Sequence, residues 1–449
     1  MITGNHRAIS FLVVISAIFL VMSTQAATYE GREAEAEWRK QASRNIEANR
    51  KADFTIAVLN KDGNALEGAQ VRVKMTRHAF AFGAAVGATR LMAKGVDSDR
   101  YRDVVAKRFN KVVLENDLKW DQWDQSKINP AGSKYFYPQT LAALEWLKHK
   151  HILVRGHYVG WGPLEKLDAY SQFKNDPGAF RNALFNHIKE KVPRVGDLVS
   201  EWDAVNHPIG WSDKLITLGN MFGEGIYVDI FKLARGLNPH ARLYINEGSL
   251  LPTAQYNEIV RDKYAKLIRF LLDNGAPLGG IGFMGHFDHD KLTPPSELLR
   301  ILDRFAAFGL PLQVTEFDVR FGKRGESYSF SEKELQLQAD YTRDFMTAVF
   351  SHPAIEGIVM WGFWEGHHYN PSAALYHKDW SAKPNGKVWE DLVFRQWWTD
   401  VRGQTDAGGH FTTRGFLGEY EITVEYQGKT LTRSVRLQKG GSRISFGIE

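Results

Sequence analysis

Two short stretches carry residue types from which a reaction could be built. Glu201-Trp202-Asp203-Ala204-Val205-Asn206-His207-Pro208 reads as a strand whose end delivers Asn206 and His207 into the space beyond it. Val314-Thr315-Glu316-Phe317-Asp318 does the same with a carboxylate, Glu316. A carboxylate can attack an electrophilic carbon, and an imidazole can give up a proton at mildly acidic pH and take one back. The chain contains no cysteine, so a thiolate nucleophile, a thiolate-bound metal and a disulfide are excluded.

Positioning these residues is the task of the region 78–398. Short β-branched or apolar runs at 80–86, 111–114, 152–156, 198–205, 241–246, 280–284, 312–317 and 357–361 alternate with longer helical patterns at 135–151, 179–191, 223–237, 262–274, 294–308 and 331–350. Polar residues interrupt the helical segments at helical spacing, so each should lay one face on a sheet. Eight strands separated by helices is the count for an α/β fold of the (β/α)8 TIM-barrel type. An open doubly wound sheet would call for a glycine-rich phosphate turn opening a helix. The glycine-containing run Gly83-Ala84-Ala85-Val86-Gly87 lies within a strand instead.

In such a barrel the chemistry sits where the strands end. The positions following the apolar runs are Glu115, Asn116, Asp117 and Lys119, then His157 and Trp161, Asn206 and His207, Asn246 and Glu247, His286, Glu316 and Asp318, and finally Trp361 and Trp364. Amides and carboxylates grip hydroxyl groups, and indoles offer a flat apolar floor on which a sugar ring can rest.

Residues 78–398 resemble glycoside hydrolase family 10, the xylanase family of retaining (β/α)8 enzymes. The likeness rests on Glu115-Asn116-Asp117-Leu118-Lys119-Trp120, Arg155-Gly156-His157, Trp202-Asp203-Ala204-Val205-Asn206, Tyr244-Ile245-Asn246-Glu247, Gly280-Ile281-Gly282-Phe283-Met284-Gly285-His286, Thr315-Glu316-Phe317-Asp318 and Trp361-Gly362-Phe363, in family order. The resemblance implies action on β-1,4-linked xylan or a related polysaccharide, without a cofactor or a metal. It places Glu316 as the nucleophile, His286 against it, and Asn206 at the hydroxyl beside the anomeric carbon. Glu115, Asn116, Lys119, His157, Trp161 and Trp361 would hold the sugars.

Three positions depart from the family pattern. His207 stands where the family places its acid/base glutamate, Met284 where a glutamine is usual, and Gly162 where a second histidine often follows the tryptophan. Three readings of His207 follow. It can replace the glutamate as proton donor and acceptor. It can mark a saccharide-binding protein of the same fold with impaired turnover. Or His157, His207 and His286 can form a divalent metal site of a metal-dependent hydrolase. Glu247 and Glu365 are further candidates for a displaced acid, and His367, His368 and Tyr369 could contact the leaving-group side.

The remainder of the 449 residues suits a smaller unit beside the large one. Residues 1–27 read as a signal peptide: Arg7, an apolar run from 8 to 22, then small residues around Ala26. A secreted or periplasmic location is the expectation, without a membrane span. Residues 28–52, rich in Glu, Ala and Arg, read as an exposed helix serving as a spacer or cover. Residues 53–77 and 399–449 alternate apolar and polar side chains between turn signals, and are expected to combine as one accessory β-sandwich. The Asp-Gly-x-x-Leu-x-Gly-Ala texture of 62–69 resembles bacterial prealbumin-like accessory domains. A formal net charge of +5 is small for this length and marks no nucleic-acid footprint. A monomer with a polysaccharide partner is the expectation.

Overall fold

The computed structural model describes residues 28–252 and 255–448. The expected signal peptide, residues 1–27, lies outside the described residues. No helix among the described residues is long and apolar enough to cross a membrane.

Eight parallel strands form the centre: Ala81–Val86, Lys111–Leu114, Leu153–Gly156, Glu201–Asn206, Arg242–Glu247, Gly280–Asp288, Leu312–Arg320 and Ile355–Met360. Each pairs with the next, and the eighth pairs with the first, so the sheet closes into a (β/α)8 barrel. The first, second and fourth strands are buried along their whole length, covered by helices outside and side chains within. An extra two-residue strand, Gly160–Trp161, lies beside the fourth and aligns Trp161 with Asn206. The longest surrounding helix, Glu332–Ser351, starts at a reciprocal cap in which Ser331 and Glu334 satisfy each other's backbone N–H groups.

The barrel axis carries a buried ionic layer directly beneath the mouth. Arg155 donates to Asp203 at 3.0 Å, to Glu201 at 2.8 Å and to Gln313 at 2.9 Å, while Lys111 donates to the other Glu201 oxygen at 2.7 Å. Burial pushes the Glu201 and Asp203 carboxyls up, but these cations outweigh it and hold both below their ordinary values. Two carboxylates and two cations balance, which is the condition for burying any of them.

The two ends of the chain pair with each other. Lys51–Asn60 lies between His410–Phe416, antiparallel, and Ser442–Ile448, parallel. Gln70–His78 lies between Asp400–Gln404 and Gly418–Tyr426, with Lys429–Leu437 at the far edge. The two sheets face each other through alternate residues: Phe54, Ile56 and Val58 on one side, Val71, Val73, Tyr420 and Ile422 on the other, all buried. Phe54 meets Tyr420 edge-on at 4.7 Å.

The segment 28–52 is not an exposed spacer. Its helix, Glu37–Arg50, buries Trp38, Ala42 and Ile46, spaced four residues apart on one face. Tyr29 donates to the buried Asp344 at 2.7 Å, and Arg39 joins the same carboxylate, fastening the segment to helix Glu332–Ser351. A polar composition conceals this because three apolar side chains suffice for one narrow contact stripe.

Replacing Arg155 by Met strands Glu201 and Asp203 as partly uncompensated buried charges. The expected loss is about 3–5 kcal/mol in urea unfolding, whereas Lys40→Ala on the exposed helix face leaves the midpoint unchanged.

Candidate active site

The strand ends converge at the carboxyl-terminal mouth. Glu316, on the seventh strand, is buried and accepts from His286 Nε2 at 2.9 Å on one oxygen; Asn246 approaches the other at 3.5 Å. Burial pushes its carboxyl up, yet the His286 hydrogen bond and the neighbouring imidazoles of His157, His286 and His207 prevail, so it sits below the ordinary glutamate range. It is therefore an ionised, oriented carboxylate at neutral pH.

His286 is the register partner of Asp318, whose Oδ2 lies 3.0 Å from its Nδ1. Burial pulls its pKa down, but Asp318 and Glu316 push it up further, to about 10, so the ring is an imidazolium between two carboxylates. Tyr369 donates to the same Asp318 oxygen. His157 is bound through Nδ1 to Asp203 at 2.8 Å and stands edge-on to Trp361 at 5.3 Å. Trp361 in turn stands edge-on to His286 at 6.1 Å.

Asn206 and Asn246 are register partners on the fourth and fifth strands. Asn246 donates to Asn206 Oδ1 at 2.8 Å and accepts from Thr315 at 2.7 Å, fixing both amides in orientation. On the second-strand side, Lys119 donates to Asn116 at 2.9 Å. Burial lowers the Lys119 pKa, partly opposed by Glu316 and Glu115. Beside them, burial raises the Asp117 carboxyl to about 6. Trp161 stacks on Tyr158 at 5.0 Å and donates to the Pro163 carbonyl at 2.9 Å.

His207 has the most constrained surroundings in the mouth. Its backbone occupies the left-handed region, φ 54°, an uncommon conformation outside glycine, and its N–H donates to Asn246 O at 2.9 Å. Its Nδ1 lies 2.7 Å from Glu247 Oε1. That carboxylate is fully buried and also accepts from the backbone N–H groups of Gly248 at 2.7 Å, Ile209 at 2.8 Å and Gly210 at 3.1 Å. A carboxylate whose oxygens already accept three backbone N–H bonds acts as an acceptor toward Nδ1 too, which places a proton on Nδ1 and leaves Nε2 as the ring nitrogen not engaged by Glu247. Trp161 and Trp211 flank the ring edge-on at 5.1 and 5.0 Å.

The other departures from the family pattern lie close to this residue. A Cβ on Gly162 would fall 1.8 Å from the His207 carbonyl oxygen, so a histidine there is incompatible with this turn. A Cβ on Gly248 would lie 3.0 Å from His207 Cε1 and 3.5 Å from Met284 Sδ. His207 thus packs against Gly162, Glu247 and Gly248, with Met284 beside Gly248.

Every residue singled out from the sequence for chemistry or sugar contact, from Glu115 to Trp361, lies at or just below this mouth. The role of Glu247 as an imidazole anchor was missed, because its direction is set by the 208–210 turn. Trp211 was missed because a loop residue without periodicity gives no signal. Glu365 does not join the group: it faces His377 at 3.3 Å and Lys383 at 3.5 Å. His157, His207 and His286 each have Nδ1 committed to a separate carboxylate. Among the described residues, the one group of three potential ligands that converges is Asp124, His187 and Glu190, on the outer helices. There the Lys127 ammonium already pairs with Asp124 at 2.8 Å and Glu190 at 3.2 Å.

The family model described as Glycosyl hydrolase family 10 matches residues 72–389. Among curated proteins, the chain is 31% identical over 401 residues to the anti-sigma-I factor RsgI6 of Acetivibrio thermocellus, covering 88% of this chain and 47% of that protein. It is 29% identical over 389 residues to endo-1,4-beta-xylanase 1 of Arabidopsis thaliana, covering 86% and 38% respectively. The chain thus spans less than half the length of these two relatives. Among solved structures, xylanase 10B from Thermotoga petrophila RKU-1 in complex with xylobiose superposes with a TM-score of 0.59 at 24% identity, covering 71% of this chain and 95% of that one.

Glu247→Gln supplies one accepting oxygen where four donors converge. The expected result is a stability loss of about 1–3 kcal/mol, and nitrogen-15 spectra in which His207 no longer holds its proton on Nδ1 alone.

Proposed function

The chain belongs to glycosyl hydrolase family 10, and from that premise we propose that it is a retaining glycosidase acting on β-1,4-linked xylan or a related polysaccharide, with Glu316 as nucleophile and His207 as acid/base. The observation that carries this reading is the pairing of a buried, ionised Glu316 with an imidazole whose Nδ1 is anchored on Glu247. A retaining reaction needs a carboxylate to attack the anomeric carbon and a second group to protonate the leaving oxygen and later activate water.

In the first step Glu316 attacks the anomeric carbon while His207 Nε2 delivers its proton to the departing oxygen. Glu247 holds the ring in one tautomer and stabilises the positive charge it carries when doubly protonated, as a carboxylate does behind any catalytic imidazole. His286, an imidazolium, keeps Glu316 aligned and unprotonated. Attack turns Glu316 into a neutral ester, and His207, now neutral, takes a proton from the water that hydrolyses it.

The same geometry supports a reading of the sugar grip. Asn206 has its oxygen engaged by Asn246, which leaves its N–H2 group to meet the hydroxyl beside the anomeric carbon. Glu115, Asn116, Lys119 and His157 address hydroxyls on the non-reducing side, over a floor of Trp161 and Trp361. With residues 1–27 acting as a signal peptide, the protein works in the periplasm or outside the cell, as a monomer.

An activated aryl β-xyloside and natural xylan, tested together, separate the roles. Glu316→Ala should abolish turnover of both substrates, and retention of the aryl rate would overturn the nucleophile assignment. His207→Ala should lose about 10²–10⁴-fold on xylan and far less on the aryl substrate. Equal rates for parent and His207→Ala on xylan would remove the imidazole acid, and sugar binding without turnover in every variant would identify a binding protein. Because Glu316 is held below its ordinary value, the acidic limb of kcat/KM should fall below about pH 4.3.

A further inference from the structure

Replacing an acid/base carboxylate by an imidazole changes more than the proton donor, because it changes which acceptors can approach the glycosyl-enzyme. With glutamate as acid/base, the group facing the acceptor becomes an anion once it has given up its proton. An incoming anion would then meet a like charge at about 4 Å, a penalty of about fivefold to a thousandfold depending on solvent screening. His207 becomes neutral at the same stage. Its anchoring carboxylate is set back from the acceptor: Glu247 is fully buried behind the ring, with both oxygens turned to His207 Nδ1 and to the N–H groups of Ile209, Gly210 and Gly248.

The other charges of the mouth point the same way. Glu316 is neutral as an ester. Asp318 is engaged by His286 and Tyr369, and Asp203 by Arg155 and His157. His286 remains as an imidazolium beside Glu316, and Lys119, which donates to Asn116, lies within reach of the Glu316 and Glu115 charges. The neutral rings of Trp161 and the half-exposed Trp211 flank the His207 ring.

We propose that, given the glycosidase reading above, the glycosyl-enzyme accepts small oxyanions as well as water, so that the protein transfers its glycosyl group to inorganic phosphate. The step balances without a base. One oxygen of hydrogenphosphate forms a bond to the anomeric carbon as the bond from that carbon to Glu316 breaks, and the electron pair leaves with the Glu316 carboxylate. The phosphate keeps its proton, nothing is oxidised or reduced, and the product is a glycosyl phosphate of retained β configuration. His207 regains its proton from solvent through its exposed edge.

The test uses the full chain with a 2,4-dinitrophenyl β-xyloside, on which loss of the aryl group is fast and deglycosylation limits turnover. Inorganic phosphate is titrated against chloride at constant ionic strength, and products are followed by phosphorus-31 NMR. Turnover should rise severalfold with phosphate and β-xylosyl phosphate should accumulate. His207→Glu should hydrolyse the substrate but form at least tenfold less xylosyl phosphate. Hydrolysis by the parent without xylosyl phosphate, or equal xylosyl phosphate from His207→Glu, would overturn anion transfer while leaving the glycosidase standing. An absence of turnover under all conditions would overturn both.

Discussion

Three imidazoles at the barrel mouth are each held at Nδ1 by a buried carboxylate from an adjacent strand or its end, and the site depends on this repeated pairing. His157 leans on Asp203, His207 on Glu247, and His286 on Asp318. The pairs step around the barrel from the third strand to the fourth, the fourth to the fifth, and the sixth to the seventh. Burying an imidazole or a carboxylate alone is costly, and pairing them offsets that cost while fixing the orientation of the ring. In each case the remaining nitrogen, Nε2, is the one left for the site, and in His286 it is visibly engaged with Glu316. The layer beneath, Arg155 with Lys111 against Glu201 and Asp203, ties the first of these pairs to the barrel axis.

Seen this way, His207 extends a pattern already present in the mouth. Exchanging a carboxylic acid for an imidazole requires a fixed tautomer, room for the ring and a turn that aims it. Glu247 supplies the first, Gly248 the second, and the left-handed His207 backbone with Gly162 pressed against its carbonyl the third. Of the other two departures from the family pattern, Gly162 lies against the His207 carbonyl and Met284 lies beside Gly248.

Much of this was legible in the chain. The apolar runs located all eight barrel strands within a few residues, because a parallel strand covered on both faces is apolar along most of its length. The strand-end rule then selected Glu316, His207, His286 and Asn206. What escaped depended on loops and on packing between distant elements. The direction of Glu247 is decided by three N–H groups in the 208–210 and 248 turns, and Trp211 reaches the ring from a loop. Helix Glu37–Arg50 looked solvent-exposed because its contact stripe is only Trp38, Ala42 and Ile46 wide. The acidic network on Asp344 that fastens this segment joins residues about 300 positions apart, a distance over which periodicity says nothing.

The central claim is that His207, oriented by Glu247, protonates the leaving group. The most direct measurement is the dependence of kcat/KM on leaving-group basicity across a series of aryl β-xylosides, for the parent and for His207→Ala. A proton-donating His207 gives a shallow slope in the parent and a steep one in the variant, since only the unassisted reaction feels the full basicity of the departing oxygen. Equal slopes for the two proteins would contradict it.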